Sequence, residues 1–163
     1  MFSVGIITAS DKGSKGLRDD KSGKMIKQIL SHYKFQINKY IVLPDEINEL
    51  ETELLYMCDT LNLNLVLTTG GTGFSKRDVT PEATKRVITK EVPGISEAMR
   101  FNSLKITPRA MLSRGISGIR NNTLIINLPG SPKAVKECLE YIIDTLIHGL
   151  EILLDLTNEC ARK

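Results

Sequence analysis

The sequence predicts an α/β domain. A mostly parallel sheet lies between two helical layers, a Rossmann-like three-layer sandwich with a short antiparallel hairpin at its edge. Three observations predict it. Short apolar runs at 3–8 and 63–68 alternate with longer segments of helical periodicity. Two strands run into glycine- or proline-rich elbows, at 68–73 and 128–132, each followed by a helix start. Asn121-Asn122 separates two short β-prone runs, and Asn tolerates the positive φ of a two-residue hairpin turn. A chain of 163 residues suits one domain, 1–163, and can bury a proper core. It holds no linker, repeat or low-complexity segment.

Residues 3–8 form the first strand, which ends in Ala9-Ser10-Asp11. Residues 12–20 are polar and contain glycine, the composition of a loop. Asp20 or Ser22 caps a helix running to about Tyr33, with Met25, Ile26, Ile29, Leu30 and Tyr33 at helical spacing. Residues 35–43 make the second strand, closed by Pro44-Asp45-Glu46. Asp45 stands where it caps the next helix, whose apolar stripe is Ile47, Leu50, Leu54, Cys58 and Leu61. Leu65-Val66-Leu67 mark a third strand buried on both faces. Thr80-Pro81-Glu82 reads as a helix start, with Thr as N-cap, Pro at N1 and an acid in the first turn; that helix extends to about Glu91. Another covers 95–104. Strands at 116–120 and 123–127 make the edge hairpin. Ser131 caps the last helix and Pro132 is its N1. Its stripe of Val135, Leu139, Ile142, Leu146, Leu150 and Leu153 is wide enough for part of it to face a partner subunit.

The chemistry concentrates between Thr68 and Asp78. In Thr68-Thr69-Gly70-Gly71-Thr72-Gly73, glycines let the backbone take φ > 0 and approach a ligand closely. Successive N–H groups in such a turn form a nest for an anion. Three hydroxyls, Lys76 and Arg77 add donors and positive charge. Asp78 follows as a lone carboxylate where a phosphate site needs a metal ligand. The loop lacks the GxxxxGK[ST] spacing of a P-loop and the third glycine of GxGxxG. Taken alone it reads equally as a tight strand-to-helix connection. Ligands of open α/β sheets sit beyond the carboxyl ends of the strands, so Ser10-Asp11 and the glycine loop share one rim. Asp11 is equally an Asx-turn residue.

A net charge of +3, with the basic residues scattered among acids and aromatics at 5%, gives nucleic-acid binding little support. The cysteines, Cys58, Cys138 and Cys160, are odd in number and form no CxxC pair, which reads as reduced thiols in a cytoplasmic protein. His32 and His148 lie far apart in helical stretches and read as packing or surface residues. No apolar run approaches the roughly 20 residues of a membrane span, and the first residues do not make a signal peptide.

TTGGTGFSKRDVTPEA, then Pro93-Gly94, MLSRGISGIR and INLPGSPKAVKECL, closely resemble the molybdopterin adenylyltransferase family of the MogA/MoaB type. The resemblance runs from about Val4 to about Leu154, and its separate motifs recur in the family's order. It implies that the terminal phosphate of molybdopterin attacks the α-phosphorus of ATP and pyrophosphate leaves, with Mg²⁺ present. It implies Asp45 and Asp78 as the catalytic carboxylates and the metal ligands. Substrate contacts fall to Ser10, Asp11, Thr69, Gly70, Gly71, Thr72, Gly73, Pro129, Gly130, Ser131 and Pro132. Ser113, otherwise an ordinary loop serine, matches the LSR serine involved in molybdopterin binding. A homotrimer and a separate metal-insertion protein are implied as well. Two alternatives stand beside this reading. A non-catalytic molybdopterin carrier of the same family is disfavoured by the presence of both Asp45 and Asp78. An unrelated nucleotide-binding enzyme is disfavoured by the SR and LPGSP motifs.

Overall fold

Residues 1–157 are described by a computed structural model of the chain. Its strands are β1 (Phe2–Ala9), β2 (Phe35–Leu43), β3 (Leu65–Thr69), β4 (Lys90–Glu91), β5 (Ser117–Arg120) and β6 (Thr123–Leu128). They form one sheet in the order β2-β1-β3-β6-β5-β4. The four strands β2, β1, β3 and β6 run parallel, and β5 and β4 add an antiparallel edge. The expected hairpin is present: Arg120 pairs with Thr123, and Asn121 takes a φ of 51°. β1 lies between β2 and β3, so the chain leaves it first to one side and later to the other. The switch point of the sheet therefore lies between β1 and β3.

The helices are α1 (Asp11–Ser14), α2 (Lys21–Leu30), α3 (Ile47–Leu55), α4 (Thr80–Val87), α5 (Pro93–Leu104) and α6 (Pro132–Leu153). Side chains alternate across β3, and each face has its own core. Leu65 and Leu67 join Ile26, Leu30, Met99, Leu139, Ile142 and Leu146 from α2, α5 and α6. Val66 joins Leu50, Leu54, Ala83 and Val87 from α3 and α4. Both faces are covered, which is why the central strands read as unbroken apolar runs. No helix among the described residues is long and apolar enough to cross a membrane.

Several local expectations are corrected. Asp20, rather than Ser22, caps α2, accepting from the Gly23 N–H at 2.9 Å, and α2 ends at Leu30. α3 has Glu46 as its N-cap with no side-chain bond, because the Asp45 carboxylate is turned away to another loop. A π-helical turn, Tyr56–Thr60, continues α3 and buries Cys58. The N-cap of α4 is Val79; the Thr80 hydroxyl instead donates to the Gly70 carbonyl at 2.9 Å. α4 stops at Val87, since Ile88 turns extended and Lys90 and Glu91 pair with Ile119 and Gly118. The β-branched run Val87-Ile88-Thr89 favours that change. The α6 stripe is absorbed by this chain's own core: Val135, Leu139 and Leu150 are wholly buried. Cys58 and Cys138 are buried, unpaired thiols, and burial pushes the Cys58 thiol up to about 11. His32 and His148 are exposed. Cys160 lies outside the described residues.

Candidate active site

The sheet register builds the site. Thr8 pairs with Thr69 and Thr69 with Leu128, so β1, β3 and β6 end side by side. The elbows that follow are placed in a row at the switch point, where open α/β sheets take their ligands. Gly70 and Gly71 carry φ of 88° and 66°; Gly73 does not share this conformation. A Cβ on Gly70 would stand 2.4 Å from the Ala9 carbonyl oxygen, so the elbow can only close on glycine. Hydroxyls tie the elbow carbonyls back. Thr69 donates to the Pro129 carbonyl at 2.7 Å, and Ser22 to the Gly130 carbonyl at 2.7 Å.

Two cavities open on this rim. The larger, about 670 Å³, is lined by Ser10, Asp45, Thr69, Gly70, Gly71, Asp78, Gly130, Ser131 and Pro132, together with Thr8, Arg18, Asp20, Lys21 and Ser22. The smaller, about 290 Å³, takes Thr72, Gly73, Ser113 and Pro129, with Met99, Arg100, Arg109 and Cys138. The expected residues are therefore shared out: the glycine loop is a wall between two cavities rather than the floor of one. Ser10 caps α1, accepting from the Gly13 N–H at 3.0 Å. Ser131 caps α6, accepting from the Ala134 N–H at 3.2 Å.

Asp11 lines neither cavity. Its carboxylate accepts from Arg77 Nε at 3.0 Å and Nη2 at 2.9 Å, and from the Asp45 N–H at 3.1 Å. Its own N–H donates to Asp45 Oδ2 at 2.9 Å. The Asx-turn reading is thereby replaced by a clamp between two loops, which Arg77 extends to Glu46 at 2.6 Å. The hydrogen bonds from Arg77 hold the Asp11 carboxyl below its usual value.

Asp45 is the opposite case. Burial pushes its carboxyl up, and the negative charges of Asp11 and Asp78 add to that; the Asp11 N–H and Arg77 only partly offset them. Asp78 accepts from the Ser75 N–H at 2.9 Å, which fixes it beneath its own loop. Among the described residues no group of three or more His, Cys, Asp or Glu is placed to hold a metal. Two carboxylates facing one polar cavity nevertheless fit a hard cation that takes its remaining ligands from phosphate and water. A divalent ion would relieve the crowding of negative charge that raises Asp45.

Sequence reasoning did not mark Arg18, Lys21 or Ser22 as site residues. They reach the cavity because Asp20 fastens the loop inward, accepting from Thr8 Oγ1 and Tyr40 Oη, each at 2.6 Å. The cap signal of Asp20 was the available clue. Arg114 was also missed, although it lies inside a quoted motif; it donates to the Gly73 and Asp78 carbonyls, each at 2.7 Å.

The chain is similar to known proteins along most of its length. Residues 5–148 match the family described as probable molybdopterin binding domain. The chain is 47% identical over 153 residues to a protein of Helicobacter pylori strain J99 named molybdopterin adenylyltransferase, covering 93% of this chain and 87% of that protein. It is 40% identical over 154 residues to the protein of that name in Escherichia coli K12, covering 90% and 78%. Among solved structures, the molybdopterin biosynthesis enzyme MoaB of Thermus thermophilus superposes with a TM-score of 0.91 at 45% identity, covering 95% of this chain and 98% of that one.

Proposed function

The chain belongs to this molybdopterin-binding domain family, and from that premise we propose that it is the enzyme that adenylylates molybdopterin with Mg-ATP in molybdenum cofactor biosynthesis. The relatives named molybdopterin adenylyltransferase cover most of its length. The observation that carries the reading is the pair of adjoining cavities divided by the glycine loop, with Asp45 and Asp78 both in the larger one. Both volumes suit small ligands. ATP takes the larger cavity, whose rim carries the cations of Arg18 and Lys21. The pterin takes the smaller, against Ser113 and Arg109.

In the reaction an oxygen of the molybdopterin phosphate forms a bond to the α-phosphorus of ATP, and the bond to the β,γ-pyrophosphate breaks. No protein nucleophile is needed. Both reactants are anions, so the protein must hold them in line and screen their repulsion. The positive-φ elbow at Gly70–Gly71 and the start of α6 at Gly130–Ser131 hold phosphate oxygens. Asp45 and Asp78 are the residues that would hold Mg²⁺. Bound there, the ion supplies charge neutralisation for ATP and its leaving group. The Arg77–Asp11–Asp45 clamp keeps Asp45 oriented before substrate arrives.

The same reading includes one domain across 1–163, a homotrimer in the cytoplasm, and a separate protein for metal insertion. Its test is direct. Mixing purified protein with molybdopterin, Mg²⁺ and ATP should release one pyrophosphate for each molybdopterin that gains the mass of an adenylyl group. Pterin binding with no pyrophosphate release would replace this reading with that of a carrier.

A further inference from the structure

Arg114 lines neither cavity, yet it makes more bonds to the glycine loop than any residue inside them. Its N–H donates to the Thr72 carbonyl at 2.9 Å. Its Nε donates to the Gly73 carbonyl and its Nη2 to the Asp78 carbonyl, each at 2.7 Å. The guanidinium is oriented by Glu82, bonded through both carboxylate oxygens. One planar side chain therefore fixes both ends of the segment from Gly73 to Asp78. Between those ends Phe74 is 71% exposed and Ser75 and Lys76 are exposed, while Arg77 ties the segment to Asp11 and Glu46 on the rim of the larger cavity.

On its other side Arg114 is continuous with the smaller cavity. Ser113 precedes it and lines that cavity. Arg100, another lining residue, donates to the Gly115 carbonyl at 2.7 Å and the Ser113 carbonyl at 3.5 Å. A ligand that engaged Ser113 or Arg100 would act on the backbone on both sides of Arg114. Arg114 in turn holds the carbonyls of Gly73 and Asp78, and Asp78 faces the larger cavity.

We propose that Arg114 is a positioning residue that couples the two cavities, so that filling the smaller one sets Asp78 and the glycine loop for nucleotide in the larger. This rests on the assignment of pterin and nucleotide given above. Coupling of this kind is reciprocal: each ligand must tighten the other by the same factor. A purely structural role for Arg114 predicts a lower melting temperature and no change in that factor.

The experiment is a set of calorimetric titrations with molybdopterin and with the Mg²⁺ complex of an ATP analogue carrying methylene between its α- and β-phosphorus. Each is measured alone and with the other saturating. In the unmodified protein each ligand should tighten the other by about tenfold or more. Arg114→Gln should bind molybdopterin alone within about twofold of the unmodified protein, while the coupling factor falls to about one. Arg114→Lys should recover part of the factor, because an ammonium is a point donor that cannot span three acceptors in a plane. A factor left unchanged in Arg114→Gln overturns the proposal, as does an unmodified protein with no coupling. Should Arg114→Gln fail to fold, Glu82→Gln takes its place: it removes the guanidinium's counter-charge and must lower the factor, and an unchanged value again overturns the coupling. Loss of the functional reading shows up elsewhere. Missing pyrophosphate release in the assay would sink the adenylylation while the binding factor stood.

Discussion

At the scale of single residues, Asp78 and Ser113 lie in different cavities, and their substitutions should fail differently. Asp78→Ala should abolish AMP transfer while molybdopterin still binds, because the carboxylate faces the larger cavity alone. Ser113→Ala should weaken molybdopterin binding by roughly 1–3 kcal/mol, the loss of a hydrogen bond to a charged group, with turnover at saturating pterin largely kept. Titration of each variant, followed by AMP transfer at saturating pterin, separates the two. Near-normal turnover in Asp78→Ala would remove the metal assignment. Asp45 carries a further consequence. Its folded-state carboxyl is raised by burial and by its acidic neighbours. The charged form is therefore penalised in the folded state at every pH above the unfolded value, including neutrality. Asp45→Asn removes that penalty and keeps a carbonyl for the Asp11 N–H. It should melt at or above the unmodified protein's temperature at pH 7 and show no AMP transfer. A clear drop in melting temperature would mean that the carboxylate serves the fold.

At the scale of elements, the loop between β1 and α2 depends on Asp20. Burial alone would raise this carboxyl; the Gly23 N–H, Thr8 and Tyr40 outweigh it, so the folded value lies below the ordinary one. The stabilisation is then present above the unfolded value near 3.9 and is lost as pH falls through the folded value. Asp20→Ala loses a cap and leaves the hydroxyls of Thr8 and Tyr40 without their acceptor, and should cost about 1–3 kcal/mol at neutral pH. Denaturant melts between pH 7 and 2 should show the gap between the two proteins closing in acid; a gap that stayed constant would contradict the role of the charge. The same loop marks where the sequence stops being legible. The five longer strands, the elbows and the hairpin were readable, because their periodicity and turn residues are local signals. The inward turn of 12–20 was not, since Asp20 finds Thr8 and Tyr40 only after β1 and β2 have paired. β4 was hidden for the same reason: two residues become a strand only by meeting Gly118 and Ile119. Asp45 shows the converse error. Its position suits a helix cap, but the Asp11 N–H competes for the carboxylate and wins. The split of the site into two cavities turns on which side of the glycine loop each side chain falls, and spacing along the chain carries no such information.

For the whole molecule, the proposed homotrimer needs a surface, and α6 does not provide it, because its stripe is spent on the core. Tyr141 and Ile152 stand exposed singly on α6, whereas a denser run of exposed apolar side chains lies elsewhere. Phe101, Leu104, Ile106, Met111 and Leu112 all fall between the second half of α5 and the turn that follows, with Phe101 63% and Met111 64% exposed. Isolated exposed apolar residues need no explanation, but a run of them within one segment marks a contact surface. This segment also leads into Ser113 and Arg114, so contact there would steady the backbone that lines the smaller cavity. The homotrimer proposed from the family resemblance should sediment at micromolar concentration at about three times the 18.1 kDa chain mass. Placing a charge at both exposed positions, Phe101→Glu with Met111→Glu, should dissociate the assembly without unfolding the chain, since neither side chain belongs to either core cluster. The dissociated variant should bind molybdopterin more weakly than the nucleotide analogue, because the surface adjoins only the smaller cavity. A protein that sediments as 18.1 kDa before any substitution would remove the trimer. A double variant that remains associated would move the interface to another face of the molecule.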